Sequence, residues 1–258
     1  VGIPDEDRPW VFARTDAMLR ALDPAHGELT EERVAERDLF EYAQRLSRSK
    51  RERPTDDIWT TLTRAELVDD DGVPTSLSEL EIDMFFVILT LAGSETTRNA
   101  ISQGLMALLA HPDELAALRS DPSLYPTAVD EMIRWASPVL YFGRTATREV
   151  ELAGETIEAG DRVVMWYPSG NRDERAFADP FRFDVRRTPN PHVSFGGGGP
   201  HYCLGANLAK METHVMMKAL LERFRDIEIT APPAWAAAGP VHNVGVSVDR
   251  LPVRLSPA

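Results

Sequence analysis

The chain holds one cysteine, Cys203, set in the run Ser194-Phe195-Gly196-Gly197-Gly198-Gly199-Pro200-His201-Tyr202-Cys203-Leu204-Gly205. A long helical pattern follows it, from Leu204 to about Phe224, with Leu208, Met211, Val215 and Leu220 on one face. The first free N–H groups and the positive dipole end of that helix point toward the sulfur, which favours thiolate over thiol. Four consecutive glycines remove side chains where the backbone must approach something flat and bulky, or must take positive φ. A phosphate-cradling loop is also glycine-rich, but the lysine and hydroxyl that follow such loops are missing. For zinc, Cys203 and His201 make half a coordination shell with no partner pair. Taken alone, the run is better read as a buried free cysteine after a flexible turn.

Three further places carry residues suited to chemistry. Ala92-Gly93-Ser94-Glu95-Thr96-Thr97 puts small residues, a carboxylate and a hydroxyl where a helix normally prefers good formers. Thr96 can bond back to the carbonyl of Ala92 and Gly93 leaves room for a ligand, so this turn can loosen and admit a small molecule or water. The same residues would also make a notch for a packed helix. Glu131 and Arg134, three apart, share a helix face, although most such pairs are surface decoration of little weight. Arg187, in Phe183-Asp184-Val185-Arg186-Arg187, precedes the cysteine loop and can complete a buried Arg–Glu–Arg arrangement that fixes the loop against that helix.

The elements that must position these groups belong to an ordinary globular chain. Of 258 residues 43% are apolar, enough for a real core in one or two domains. The longest apolar stretch, Met84 to Ala92, is about half of what a bilayer crossing needs. A formal charge of −13 has the wrong sign for a general nucleic-acid or anionic-membrane binder. A lone cysteine forms no internal disulfide and is compatible with a reducing cytosol. The opening VGIPDEDRPW lacks an initiator methionine and a secretory layout, so the chain reads as starting mid-protein.

Periodicity predicts three polar helices over residues 1–75. The first contains WVFARTDAMLRAL and breaks at Asp23-Pro24 and Gly27; the second runs from about Glu31 to Lys50; the third, from about Asp56 to Leu67, stops at the DDDGVP turn. Their charge runs read as solvated faces. Ser76 with Glu79 forms a capping box for a spine helix of some 33 residues, roughly 50 Å long, that ends at His111-Pro112. Shorter helices follow from Pro112 to about Arg119 and from Pro126-Thr127 to near Ser137-Pro138. Between 138 and 195, REVELAG and RVVMWYP predict a small sheet and FADPFRFDVRRTPNPH a long ordered meander. Two short strands close the chain, with TAPPAWAAAGP as a loop. The class is mainly α with a minor β-sheet.

The cysteine loop, the A-G-x-E-T-T turn in a long helix, the E-x-x-R pair and the F-D-x-x-R meander together resemble the C-terminal part of a cytochrome P-450, a haem-thiolate monooxygenase, in that family's order and over nearly the whole chain. The resemblance implies a single partial domain, N-terminally truncated, over residues 1–258. Its parts would be roof helices (1–75), a long central helix (76–111), short helices with the E-x-x-R pair (112–137), a small sheet and meander (138–195), the cysteine loop and proximal helix (196–224) and C-terminal strands (225–258). It implies haem b, iron protoporphyrin IX, with Cys203 as proximal ligand, and Thr96 with Glu95 as oxygen-activating and proton-delivery groups. Glu131, Arg134 and Arg187 would be the structural ion triad, His201 and Arg144 propionate contacts, and Ala92, Gly93, Phe195, Gly196 and Gly205 neighbours of the haem. One departure stands out: Phe195 precedes Cys203 by eight residues where the commonest pattern has seven, and Gly196 takes the usual place.

With TRNAIS, RWASPV and HYCLGANLA, that departure resembles actinobacterial hydroxylases of methyl-branched lipids and sterol side chains. The implied reaction inserts one oxygen atom of O2 into an unactivated C–H bond of a hydrophobic substrate. Two electrons come from a ferredoxin and its ferredoxin reductase, in a cytoplasmic protein with no nucleic-acid partner. The family also carries an N-terminal portion that completes the haem pocket, so these 258 residues alone are expected to bind haem weakly or not at all. Two rival readings are a truncated non-catalytic fragment and a peroxide-using haem-thiolate enzyme, against which Glu95 and Thr96 argue. A third, a cofactor-free helical interaction protein, would need four motifs to coincide by accident.

Overall fold

The computed structural model describes residues 1–21, 29–69, 71–236 and 247–258. The expected break at Asp23-Pro24 and Gly27 lies outside them, as does the end of the TAPPAWAAAGP segment. Two compact units form among the described residues, one over Val1–Glu95 and one from Thr96 onward.

The first unit comprises α1 (Arg8–Ala21), α2 (Leu29–Glu52), α3 (Ile58–Thr63), a hairpin of β1 (Leu67–Val68) with β2 (Pro74–Thr75), and the first half of α4 (Glu79–Ala110). The third helix is much shorter than its predicted span, because the chain turns into the hairpin where a continued helix was expected. Aromatic burial holds the unit together. Trp59 stacks edge-on to Phe86 at 5.2 Å between ring centres, Tyr42 lies 5.6 Å from Phe86, and the Trp59 indole donates to Ser47 Oγ at 2.9 Å. The long helix starts two residues later than predicted. Ser78, not Ser76, is the cap: its backbone N–H and hydroxyl both donate to Glu81 Oε2, at 2.8 and 2.7 Å. The overlapping sequence S-L-S-E-L-E offers two boxes, and hydrophobic contact chooses between them. With Ser78 as cap, the flanking pair is Leu77 and Ile82, both packed in the aromatic cluster; with Ser76 it would include Leu80, which is 64% exposed.

The second unit contains the rest of α4, α5 (Pro112–Ser120), a 3-10 turn (Pro122–Leu124) and α6 (Tyr125–Ala136). It continues with β3 (Tyr141–Thr145), β4 (Val150–Leu152), β5 (Glu155–Ile157), β6 (Arg162–Trp166) and α7 (Tyr167–Gly170). A meander leads to α8 (Ala206–Arg223), then β7 (Phe224–Ile229), β8 (Ala234–Ala236), β9 (Ser247–Arg250) and β10 (Val253–Pro257). The strands form separate antiparallel pairs, β3 with β6, β4 with β5, β7 with β10 and β8 with β9, so the predicted small sheet is two ribbons. Among the described residues four strands close the chain rather than two, and part of the Ala/Pro-rich segment is strand β8.

Helix α6 is the centre of this unit. Ala128 and Met132 pack with Leu105 and Leu108 of α4 and with Met217 and Leu221 of α8. Gly104 lets α4 approach, since a Cβ there would come within 2.9 Å of Met132 Cβ. The helix stops where Ser137 takes φ 42° and its N–H returns to Ile133 O, just before Pro138. On α8 the buried positions are Ala206, Thr213, Met217 and Leu221, whereas Leu208, Met211 and Val215 of the predicted face are exposed.

Candidate functional site

Glu131 and Arg134 are fully buried, not surface decoration. Arg134 Nε and Nη2 donate to the two carboxylate oxygens of Glu131, each at 2.7 Å. Arg187 Nε donates to Glu131 Oε2 at 3.1 Å, so the three side chains meet. The remaining acceptor capacity of Glu131 goes to the Asp184 backbone N–H at 2.9 Å and Asn190 Nδ2 at 3.2 Å. The spare guanidinium donors go to meander carbonyls: Arg134 reaches Asn171, Pro180 and Arg182, and Arg187 reaches Ala178, Asp179 and Arg182. An irregular segment without a ladder thus has its carbonyls satisfied by two arginines, which α6 fixes through one carboxylate.

Asn171, which the sequence did not single out, is a second buried hub. Its amide donates to Ser137 Oγ and Ser194 Oγ, each at 2.8 Å, and its Oδ1 accepts the Val193 N–H at 2.7 Å. The residues just before the cysteine loop are thereby tied to the end of α6. An asparagine in an ordinary turn carries no signal of such reach; only its flanking position could have hinted at it.

From Ser194 the chain enters the glycine run. Gly196 and Gly198 take φ of 93° and 101°, conformations that side chains resist. Phe195 packs against Ala100, Val129 and Ile133, and its carbonyl accepts the Cys203 N–H at 2.9 Å. Ala100 lies one helical turn beyond Thr96, so the loop's aromatic ring rests on the same helix that carries the candidate hydroxyl. Asn99 fixes that stretch of helix from another side, donating to Ser247 Oγ and accepting the Val248 N–H, each at 3.0 Å. Gly205 is the N-cap position of α8, with Cys203 two residues ahead. Cys203, His201 and Arg144 are exposed, and Arg144 donates to the Gly143 carbonyl at 2.8 Å. Ala92 and Gly93 are exposed and Glu95 and Thr96 half-buried, on a helix that remains α-helical through the whole Ala92–Thr97 turn.

The glycine run beside the cysteine leaves open space. Cβ atoms placed on Gly197, Gly198 or Gly199 would meet nothing within 4 Å, while one on Gly205 would stand 4.0 Å from Cys203 Sγ. Among the described residues no group of three His, Cys, Asp or Glu side chains converges on a common point. A lone exposed sulfur suits a metal that brings its own four ring donors, and so the residues present fit a haem.

A sequence profile of cytochrome P450 matches residues 11–231. The chain belongs to the cytochrome P450 family. Mycobacterium tuberculosis methyl-branched lipid omega-hydroxylase is 43% identical over 246 residues, and the steroid C26-monooxygenase of the same organism 41% over 245. Each match takes in 95% of this P450 chain but only 56% and 54% of the relative, so the chain spans about half the length of the curated relatives it matches. Among solved structures, the cytochrome P450 of the Bacillus subtilis bacillaene polyketide synthase superposes with a TM-score of 0.88 at 35% identity, over 99% of this chain and 64% of that one. A Mycobacterium marinum cytochrome P450 solved with pseudoionone gives 0.83 at 40% identity, over 99% and 59%. The P450 fold, helical with minor strand pairs, is therefore this chain's fold, and the family implies a haem-thiolate cofactor. No helix among the described residues is long and apolar enough to cross a membrane.

Proposed function

We propose that this P450 is the haem-holding part of a monooxygenase that hydroxylates an unactivated C–H bond in a hydrophobic substrate: a branched lipid, a fatty acid or a sterol side chain. The observation that carries the reading is the cysteine loop, with an exposed sulfur, open space at its glycines and a loop ring packed on Ala100 of the helix that carries Thr96. Cys203 would hold the haem iron. When bound, haem supplies oxygen activation, which a thiolate ligand favours by pushing electron density toward the metal.

The chain's own residues do the rest. Glu131, Arg134, Arg187 and Asn171 hold the meander so that Phe195 and the Cys203 amide keep fixed positions. His201 and Arg144 would pair with the acidic groups of the macrocycle, and the small residues Ala92 and Gly93 would leave room for a ligand. Glu95 and Thr96 would hold and pass the protons that oxygen activation consumes. Electrons arrive from a ferredoxin and its ferredoxin reductase in the cytoplasm, meeting basic side chains on the cysteine side. The lipid and sterol preference rests on the similarity to the two mycobacterial hydroxylases.

Turnover of the complete polypeptide with isotopically labelled O2 tests this reading. The expected result is one labelled oxygen atom in a hydroxylated lipid or sterol, with Thr96→Ala diverting electrons to peroxide. A product whose new oxygen comes only from water would overturn it.

A further inference from the structure

Outside the ion triad, a second charged cluster stands under the cysteine loop. Asp130 is next to Glu131 on α6, and Lys210 Nζ of α8 lies 2.8 Å from its Oδ1. His192 Nε2 stands 3.6 Å from the same oxygen, while the ring's Nδ1 is buried with no hydrogen-bond partner among the described residues. Both His192 and Lys210 flank Phe195: the imidazole centre is 5.7 Å from the ring centre, and the ammonium lies over the ring, also at 5.7 Å. Phe195 is the residue whose carbonyl accepts the Cys203 N–H. Burial alone would raise the Asp130 pKa, but His192 and Lys210 together hold it below the usual carboxylate range, so the carboxylate is charged at neutral pH. The Lys210 and Asp130 side chains are only 37% and 31% exposed, which leaves the pair's field less screened than that of a surface ion pair.

We infer that Asp130, His192 and Lys210 are positioning residues for the cysteine loop, and that the Lys210 ammonium over Phe195, offset by Asp130, sets the charge felt at Cys203. The inference rests on the reading that Cys203 holds a haem iron. Reduction of such a centre adds one electron, so a nearby positive charge favours the reduced form and a negative one disfavours it.

Equilibrium redox titration of the haem-loaded complete protein separates this role from a merely structural one. Lys210→Met should lower the reduced-to-oxidised ratio at fixed potential by about threefold, the order expected of one unit charge across a partly wet surface. Asp130→Asn should raise it by a similar factor, the double variant should return near the parent value, and Lys210→Arg should keep it. Shifts of the same sign in Lys210→Met and Asp130→Asn, or none in either, would overturn the inference. If Asp130→Asn fails to fold, the Lys210→Met and Lys210→Arg pair decides alone. Each sample is also read by its reduced carbon-monoxide spectrum. Absence of a thiolate signature in the parent protein sinks the functional reading itself, whereas its presence with an unmoved potential sinks only the role given to this cluster.

Discussion

Glu131 is the carboxylate on which both arginines of the triad converge. It is fully buried and accepts from Arg134, Arg187, Asn190 and the Asp184 backbone. Replacing it by Gln keeps the shape but leaves two guanidinium groups without their counter-charge, which costs about 3–5 kcal/mol in such settings. Chemical denaturation of Glu131→Gln against the parent should show that loss, with a lowered midpoint, whereas Arg182→Gln, whose side chain is 63% exposed, should change it by less than about 0.5 kcal/mol. The sequence made the Glu131–Arg134 pair legible because carboxylate and guanidinium at i and i+3 share a face whatever surrounds them, whereas Arg187, 56 residues from Glu131, was reached through its place before the cysteine loop and the family resemblance. It left Asn171 and the Asp130–Lys210 pair unread, because their partners sit 22 or more residues away and their types are common on any surface.

At the scale of elements, propensity marked the helices and packing fixed their ends. The start of α4 is the clearest instance: two capping boxes overlap in the sequence, and burial of Leu77 and Ile82 selects the second. Ser78→Ala should therefore destabilise the first unit by about 1 kcal/mol while Ser76→Ala leaves it nearly unchanged, as read by thermal melting. The cap of α3 supplies a pH dependence. Asp57 accepts the Thr60 N–H at 2.8 Å and pairs with Lys50. Burial pushes its pKa up, but Lys50, Thr55 and Thr60 outweigh this and hold the carboxyl well below its ordinary value. A folded-state pKa below the unfolded one contributes stability above about pH 4 that is lost as the pH falls. Melting midpoints followed from pH 7 downward should drop in the parent protein, and drop less in Asp57→Asn.

The molecule as a whole was legible in its class and in the order of its motifs, since a thiol, a glycine run and a glycine-threonine turn are unusual residue types in unusual places. Less was legible where several elements meet. The α8 face of Leu208, Met211 and Val215 has the periodicity of a core face but is exposed, and a helical repeat alone does not say which neighbour covers it. The strand pairs likewise carry the alternation of a sheet, but among the described residues each ribbon pairs within itself. What unites these scales is the sulfur of Cys203, to which the triad, the Asn171 hub and the Phe195 seat all lead. The role proposed for it, holding a haem iron, is tested most directly by the reduced carbon-monoxide difference spectrum of the haem-loaded complete protein, compared with that of Cys203→Ser. The account predicts the long-wavelength band of a thiolate-ligated haem in the parent and its loss in the variant. An identical band in both would contradict it.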